Sequence, residues 1–250
     1  MAKVYTICNQ KGGVGKSTTS INLLAGLSQR GYKCLGIDLD SQLCLTTTLQ
    51  GKTDGASSLS VLLKEAPIEK AIQHTEEADL VAASRGLATA DTLITRTGKE
   101  YLLREALESI QASYDYIVID TSPALGVLTI NALTAADSLI IPIQADTYSL
   151  DGVEFLIETV APVKKYCNPA LKIEGLLFTM YDNRSVLSKE LMELATQFAK
   201  KIDSKVFTAS IRRAVAVREA QANQQSLFKY APRAKVTEDY KSFIDELLRE

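Results

Sequence analysis

The residues best suited to chemistry stand together near the start of the chain, in the run Lys11-Gly12-Gly13-Val14-Gly15-Lys16-Ser17-Thr18. Glycines at this spacing let backbone N–H groups close around a polyphosphate. Lys16 is placed to reach the β- and γ-phosphates, and the Ser17 hydroxyl to ligate Mg²⁺. Gly12, Gly13, Val14, Gly15, Lys16, Ser17 and Thr18 are therefore the candidate nucleotide cradle. The ordinary spacing would put glycine at position 10, where this chain has Gln10 followed by a second lysine. A cation beside phosphates already served by Lys16 suggests a different task, such as reaching a nucleotide held by another subunit. Carboxylates follow at two further places. Asp120 closes the apolar run Tyr116-Ile117-Val118-Ile119, the setting of a carboxylate that holds Mg²⁺, usually through water, in phosphate-loop enzymes. Asp38 and Asp40 end another apolar segment on what should be the same sheet edge, where open α/β folds bind ligands. There Asp40 can orient an attacking water or contact a Mg²⁺-bound water.

These groups need a scaffold of parallel strands, and the patterning supplies one. Apolar β-branched segments alternate with helical patterns, which implies parallel strands joined by crossover helices. Val4 to Cys8 reads as a buried strand feeding the loop. Thr18 to Arg30 reads as a helix, with Ile21, Leu24 and Leu27 on one stripe and Gly31 ending it. Lys33 to Asp38, Leu80 to Ala83, Tyr116 to Asp120, Ser138 to Ile143, Ile173 to Met180 and Lys205 to Thr208 read as further strands. Glu100 to Gln111, Gly152 to Tyr166, Ser188 to Lys200 and Thr237 to Arg249 read as helices. No internal repeat, low-complexity tract or Pro/Gly-rich linker interrupts them. The expected fold class is α/β, a mostly parallel sheet with helices on both faces, as one domain over residues 1–250.

Composition narrows the function classes. With 250 residues the chain is long enough for one large domain that buries roughly 70–75% of its unfolded surface. The 28 basic and 30 acidic residues leave a net charge of −2, so any nucleic-acid contact must come from a local patch. No apolar run approaches the roughly 18–20 residues that span a bilayer. The N-terminus has no apolar signal region, and Cys8, Cys34, Cys44 and Cys167 show no paired C-x-x-C spacing. They read as thiols of a reducing compartment, and cytoplasmic residence is expected. His74, flanked by Glu76, Glu77 and Asp79, reads as part of a solvated loop rather than a metal site.

The loop with its leading Lys11, the segment Asp38-Leu39-Asp40-Ser41-Gln42 and the segment Asp120-Thr121-Ser122-Pro123 together resemble the deviant Walker ATPases of the ParA/MinD family. Pro142-Ile143-Gln144, Gly175 to Asp182 and the Arg213 region extend the likeness over nearly the whole chain, closest to the short, Soj-like ParA branch, which has no N-terminal DNA-binding extension. The resemblance implies a phosphate-loop ATPase with ATP and Mg²⁺ as cofactors and an ATP-sandwich homodimer. Lys11 would reach the partner's phosphates, Lys16 would bind phosphate in its own subunit, and Ser17 and Asp120 would serve Mg²⁺. Asp40 would support water attack from the first switch, Thr121 to Leu125 would form the second, and Asp182 would lie near the nucleotide base. Two departures stand out. Family members commonly carry Asp-Pro-Gln-Gly-Asn after the second strand, where this chain has Asp40-Ser41-Gln42-Leu43-Cys44. The usual Pro-Arg-Asn-Val-Arg pattern reads Arg212-Arg213-Ala214-Val215-Ala216, with Arg218 two residues on.

The resemblance also implies nonspecific DNA as partner of the dimer, a ParB-like centromere-binding protein that stimulates slow hydrolysis, nucleoid association, and a role in plasmid or chromosome partition. Residues 200–241 hold ten basic and four acidic residues, a local +6 against −8 for the remainder. That asymmetry suits phosphate-backbone contact, which needs charge and no base-reading element. Arg213, Arg218, Arg233 and Lys235 are the candidate DNA-binding residues. A MinD-like membrane-cycling ATPase would need a basic amphipathic tail. The last helix instead carries Asp239, Asp245, Glu246 and Glu250 against Lys241 and Arg249, so no stable membrane association is expected. An iron–sulfur relative would need cysteines soon after Asp120, and a tyrosine kinase a terminal tyrosine cluster; neither pattern is present. A nucleotide switch with very slow hydrolysis remains compatible with the altered first switch.

Overall fold

Strands buried on both faces read as near-continuous apolar runs, and the runs identified above form the centre of one seven-stranded sheet. The computed structural model describes residues 1–146 and 149–249; Glu250 lies outside them. The strands are β1 (Lys3–Ile7), β2 (Cys34–Leu39), β3 (Ile72–His74), β4 (Asp79–Val81), β5 (Tyr116–Thr121), β6 (Ser138–Gln144) and β7 (Lys172–Thr179). They pair in the order β3-β4-β2-β5-β1-β6-β7. Every pairing is parallel except the antiparallel edge pair β3–β4.

Successive side chains divide between two core layers. Ile117 and Ile119 enter one and Val118 the other, as do Leu35 and Ile37 against Cys34. The first layer is closed by helices Ser58–Leu62, Leu102–Glu108, Val127–Ala135, Ser149–Tyr166 and Val186–Lys201. The second is closed by α1 (Lys16–Gln29), α2 (Cys44–Thr48), Leu227–Tyr230 and Lys235–Leu247. Helices thus cover both faces, as the sequence implies. Gly26 permits the tightest of these contacts: a Cβ there would run into Ile244 and Phe228, so α1 and the last helix approach closely only because that side chain is absent. Val236, Tyr240, Phe243, Ile244 and Leu247 are all buried, which commits the apolar face of the last helix to the core. Among the described residues no helix is long and apolar enough to cross a membrane.

Register positions the chemistry. Asp38 of β2 pairs across from Asp120 of β5, and Asp120 from Ile7 of β1, so the three strand ends meet at one edge of the sheet.

Several local readings need correction. Residues 205–208 do not continue the sheet as a strand. Only Val206 bridges Leu176, held by hydrogen bonds from the Leu176 N–H to the Lys205 carbonyl and from the Phe207 N–H to the Leu176 carbonyl. The 100–111 pattern yields α-helix only over Leu102–Glu108, with 3₁₀ turns at Lys99–Tyr101 and Gln111–Ser113. The helix read from Ser188 begins at Val186, where the Ser185 side chain caps it by accepting from the Ser188 N–H.

Candidate nucleotide-binding site

The loop after β1 is held from three sides before any ligand arrives. The Asn9 amide donates to the Pro142 carbonyl at 2.8 Å, and its oxygen accepts from the Lys11 N–H at 2.9 Å. The Gln144 amide donates to the Gly13 carbonyl at 2.7 Å, and the Thr179 hydroxyl donates to the Val14 carbonyl at 2.8 Å. The ends of β6 and β7 therefore fix the loop. Gly13 and Gly15 take φ of 73° and 85°, which glycine adopts without the cost a Cβ would impose. Gly15 is the N-cap of α1, whose first N–H groups and positive dipole end face the loop. This is an anion cradle assembled by the fold.

Lys16 is buried, and its ammonium donates to the carbonyl of Lys11 at 3.1 Å. Burial lowers its pKa, with nearby Cys8, Asp120 and Asp40 acting in the opposite sense. Lys11 behaves differently. Its ammonium turns away from the cradle and meets both carboxylate oxygens of Asp146, at 2.6 and 2.5 Å, with the Ser149 hydroxyl at 3.5 Å. One lysine of the pair is built into the cradle, and the other is parked on an acid at its rim.

Three buried carboxylates cluster beside them. Asp38 Oδ1 accepts from the Asp40 N–H at 3.0 Å, and its Oδ2 accepts from the N–H and hydroxyl of Thr46 at 2.8 and 2.7 Å. The Thr46 hydroxyl also accepts from the Ala83 N–H at 2.9 Å, so α2 is tied to both β2 and the end of β4. Asp40 Oδ1 accepts from the Gln42 N–H at 3.0 Å. Asp120 Oδ1 accepts from the Ser20 hydroxyl at 2.8 Å, but its Oδ2, fully buried, has no hydrogen-bond partner. Burial pushes the Asp38 carboxyl up to about 6. Burial and then the Asp38 charge push Asp120 up to about 7. An orphaned carboxylate oxygen among acids whose pKa is raised chiefly by burial, with the Ser17 hydroxyl beside Asp120, is a hard-oxygen donor set. It fits a divalent cation of the Mg²⁺ class.

The cradle opens into a cleft of about 770 Å³. Gly13, Gly15, Lys16, Ser17, Thr18 and Asp40 line one side; Met180, Arg213, Val217, Arg218 and Gln221 line another. The Gln221 amide donates to the Thr18 hydroxyl at 3.0 Å, joining helix Val215–Ala222 to the first turn of α1.

The fold thus brings together Lys16, Ser17, Thr18, Asp40 and Asp120, with Lys11 at the rim. Gly12 is exposed and Val14 buried beneath the loop. Asp182 stands outside the cleft-lining residues. Met180 takes φ of 50° after β7 ends, and exposed Asp182 binds the Arg184 backbone N–H at 3.0 Å and its guanidinium at 3.3 Å. Arg213 and Arg218 face the cleft, whereas Arg233 and Lys235 are exposed near the start of the last helix. The basic segment is also less free than its count suggests: Arg212 is held by Asp239 at 2.6 Å, Lys229 by Glu76 at 2.6 Å and Lys241 by Glu238 at 2.7 Å. Sequence reading missed Asn9, Ser20, Thr46 and Gln221 as contributors to the site. Ser20 carried a usable signal, since it lies one helical turn after Lys16 and so faces the same side.

Comparison with known proteins agrees with this architecture. A family model described as an AAA domain matches residues 2–173. The sporulation initiation inhibitor protein Soj of Bacillus subtilis is 39% identical, over 99% of this chain and 98% of its own. The chromosome partitioning protein ParA of Myxococcus xanthus is 37% identical, over 100% of this chain and 89% of its own. A solved structure of cobyrinic acid a,c-diamide synthase from Mycobacterium smegmatis, with bound ATP analog and magnesium, superposes with a TM-score of 0.86. It is 34% identical, over 100% of this chain and 95% of its own. The phosphate loop with its leading lysine, the carboxylate-bearing strand ends and this full-length likeness place the chain in the ParA/MinD family of phosphate-loop ATPases, close to the short Soj-like ParA proteins.

Proposed function

We propose that the chain is a partition ATPase that dimerises around ATP and Mg²⁺, binds DNA nonspecifically as the dimer, and resets by slow hydrolysis stimulated by a ParB-like partner. The observation that carries this reading is the division of labour between the two lysines. Lys16 lies buried inside the cradle, while Lys11 stands at its rim on Asp146, free of its own phosphate loop. A rim lysine exchanged from Asp146 to the γ-phosphate of a facing subunit would make the nucleotide part of the interface. The likeness to Soj and ParA, higher in identity than that to the diamide synthase, favours partition over cobyrinate amidation.

In this reading Lys16 and the α1 N-terminus bind the phosphates, and Ser17 and Asp120 hold Mg²⁺, Asp40 through water. Bound Mg²⁺ supplies charge neutralisation of the β- and γ-phosphate oxygens. Asp40, fixed between the Asp38 carboxylate and the Gln42 N–H, orients the attacking water. Thr121, whose hydroxyl donates to the Ile7 carbonyl at 2.9 Å, anchors the second switch to the strand beneath the loop. Arg213 and Arg218 sit where nucleotide occupancy can reach them through the Gln221–Thr18 bond, and with Arg233 and Lys235 they supply the charge for a DNA backbone. The one-domain organisation of residues 1–250 and nucleoid association in a cytoplasm belong to the same proposal.

Sedimentation velocity with ATP, with ADP, and with ATP plus nonspecific duplex DNA tests it. A dimer only with ATP, and a protein–DNA complex only in the third condition, are expected. A monomer throughout would refute the sandwich, and a dimer that ignores DNA would refute the partition reading.

A further inference from the structure

The first switch takes a tight turn without the residues that favour one. Residues 40–45 contain neither proline nor glycine, yet Leu43, the N-cap of α2, stands left-handed at φ 58°. A leucine keeps that conformation only where its surroundings over-determine it. Within the segment, the Leu43 N–H donates to the Asp40 carbonyl at 2.9 Å and the Gln42 N–H to Asp40 Oδ1 at 3.0 Å. Asp38, wholly buried at the end of β2, ties the segment to the sheet. Its carboxylate grips the switch at both ends: Oδ1 accepts from the Asp40 N–H at 3.0 Å, and Oδ2 from the N–H and hydroxyl of Thr46 at 2.8 and 2.7 Å. The buried Thr46 hydroxyl gives its proton to Asp38 and accepts the Ala83 N–H at 2.9 Å, so one oxygen atom joins β2, α2 and the chain just past β4. The Ser58 hydroxyl holds the same aspartate from behind, donating to the Asp38 carbonyl at 2.7 Å.

We propose that Thr46 is a positioning residue for ATP hydrolysis: by holding Asp38 it sets where Asp40 stands, and so where the attacking water is aimed. The inference rests on the reading of Asp40 as the group that orients that water. Thr46 lies outside the residues that line the nucleotide cleft, whereas Asp40 is among them. Its effect therefore reaches turnover through Asp40 and leaves nucleotide binding untouched. A reacting group misplaced by about 1 Å can lose about 10²-fold in rate. Removing the Thr46 hydroxyl takes one of two hydrogen bonds from Asp38 Oδ2 and leaves the Ala83 N–H without its acceptor, which frees the switch to shift on that scale.

The test is single-turnover phosphate release from the full-length protein loaded with ATP and Mg²⁺, with ATP affinity measured on the same samples. Thr46→Val keeps the branched shape and removes only the hydroxyl. It should slow release by about 10–100-fold while ATP affinity stays within a few-fold of wild type. Thr46→Ser restores both hydroxyl bonds and should recover most of the wild-type rate. In an Asp40→Ala background, Thr46→Val should cost nothing further, because the group it positions is gone. Thr46→Ala, which leaves room for a water on the Ala83 N–H, serves the same purpose if Thr46→Val does not fold. Three results would each overturn the proposal: release at the wild-type rate without the hydroxyl, a loss that serine fails to recover, or a loss that multiplies with that of Asp40→Ala. An ATP affinity that falls in step with the rate would do so too, by marking general damage to the cleft. Asp40→Ala alone keeps the two readings apart. If it turns over ATP as wild type does, the water-orienting reading falls and takes this one with it; if it is impaired while Thr46→Val is not, only this one falls.

Discussion

Replacing Asp120 by asparagine should stabilise the cation-free protein at neutral pH while destroying its divalent cation site. Asp120 is fully buried, and that burial, with the Asp38 charge adding to it, lifts its carboxyl from an ordinary 3.8 to about 7. A folded-state pKa raised above the unfolded one contributes stability that is fully present below the unfolded pKa and lost as pH rises through the folded pKa. At about 1.36 kcal/mol for each tenfold change in proton affinity, the penalty at pH 7 is roughly 4 kcal/mol, and about 2 kcal/mol of it accrues between pH 5 and pH 7. Asparagine keeps the acceptor for the Ser20 hydroxyl and cannot ionise, so that pH-dependent part should vanish. Against this stands the placement of a new N–H₂ group, about 1–3 kcal/mol if left unsatisfied. The Ser17 hydroxyl is the acceptor to hand. Urea denaturation from pH 5 to pH 8, without nucleotide or divalent cation, is the assay. Wild type should lose stability from pH 5 to pH 7 more steeply than Asp120→Asn, in which only Asp38 is left to titrate in that window, so that the variant gains on wild type as pH rises. With Mg²⁺ and ADP the order should reverse, because only wild type gains from ligand binding. A variant with the same pH slope as wild type, or one stabilised equally by Mg²⁺ and ADP, would refute the argument.

Three further outcomes follow from the same geometry. Lys16→Ala removes the ammonium inside the cradle and should weaken ATP binding by at least about two orders of magnitude, the worth of one or two charged hydrogen bonds; calorimetric titration checks it, and retained tight binding would contradict the loop assignment. Asp40→Ala should leave ATP binding intact and lower phosphate release by about 10²–10⁴, the range for losing a positioned acid–base group, with the dimer persisting in its ATP state; unchanged turnover would remove Asp40 from the mechanism. Arg218→Glu should weaken DNA binding and flatten its log–log salt dependence by about 0.9 for each lost phosphate contact; unaltered affinity and slope would move the DNA surface away from the cleft.

Much of this was legible in the sequence, and physics says why the rest was not. The central strands announce themselves because burial on both faces demands continuous apolar runs, and Asp120 and Asp38 stand out as the polar residues that end them. The loop needs glycine at Gly13 and Gly15 because the backbone there is left-handed, so its residue types and conformation coincide. The edge strand Ile72–His74 escaped because two half-buried residues and one exposed one carry no periodicity. Residues 205–208 misled because an apolar β-branched segment can bridge a strand through one residue without extending the sheet. Asp182 is not among the residues that line the cleft; its carboxylate holds Arg184 instead, a local pairing the sequence did not signal. The contacts that assemble the site, Lys11 to Asp146 and Thr18 to Gln221, join residues 135 and 203 positions apart, and only the tertiary packing of strands and helices brings such pairs together.

The central claim is that Lys11 serves a partner's nucleotide and not its own. Sedimentation velocity of Lys11→Ala with ATP and Mg²⁺, paired with an ATP-binding isotherm on the same sample, tests it most directly. Because Lys16 and the α1 N-terminus remain, the variant should bind ATP with affinity within a few-fold of wild type and sediment as a monomer where wild type dimerises. A variant that dimerises normally, or one that loses ATP binding altogether, would contradict the account.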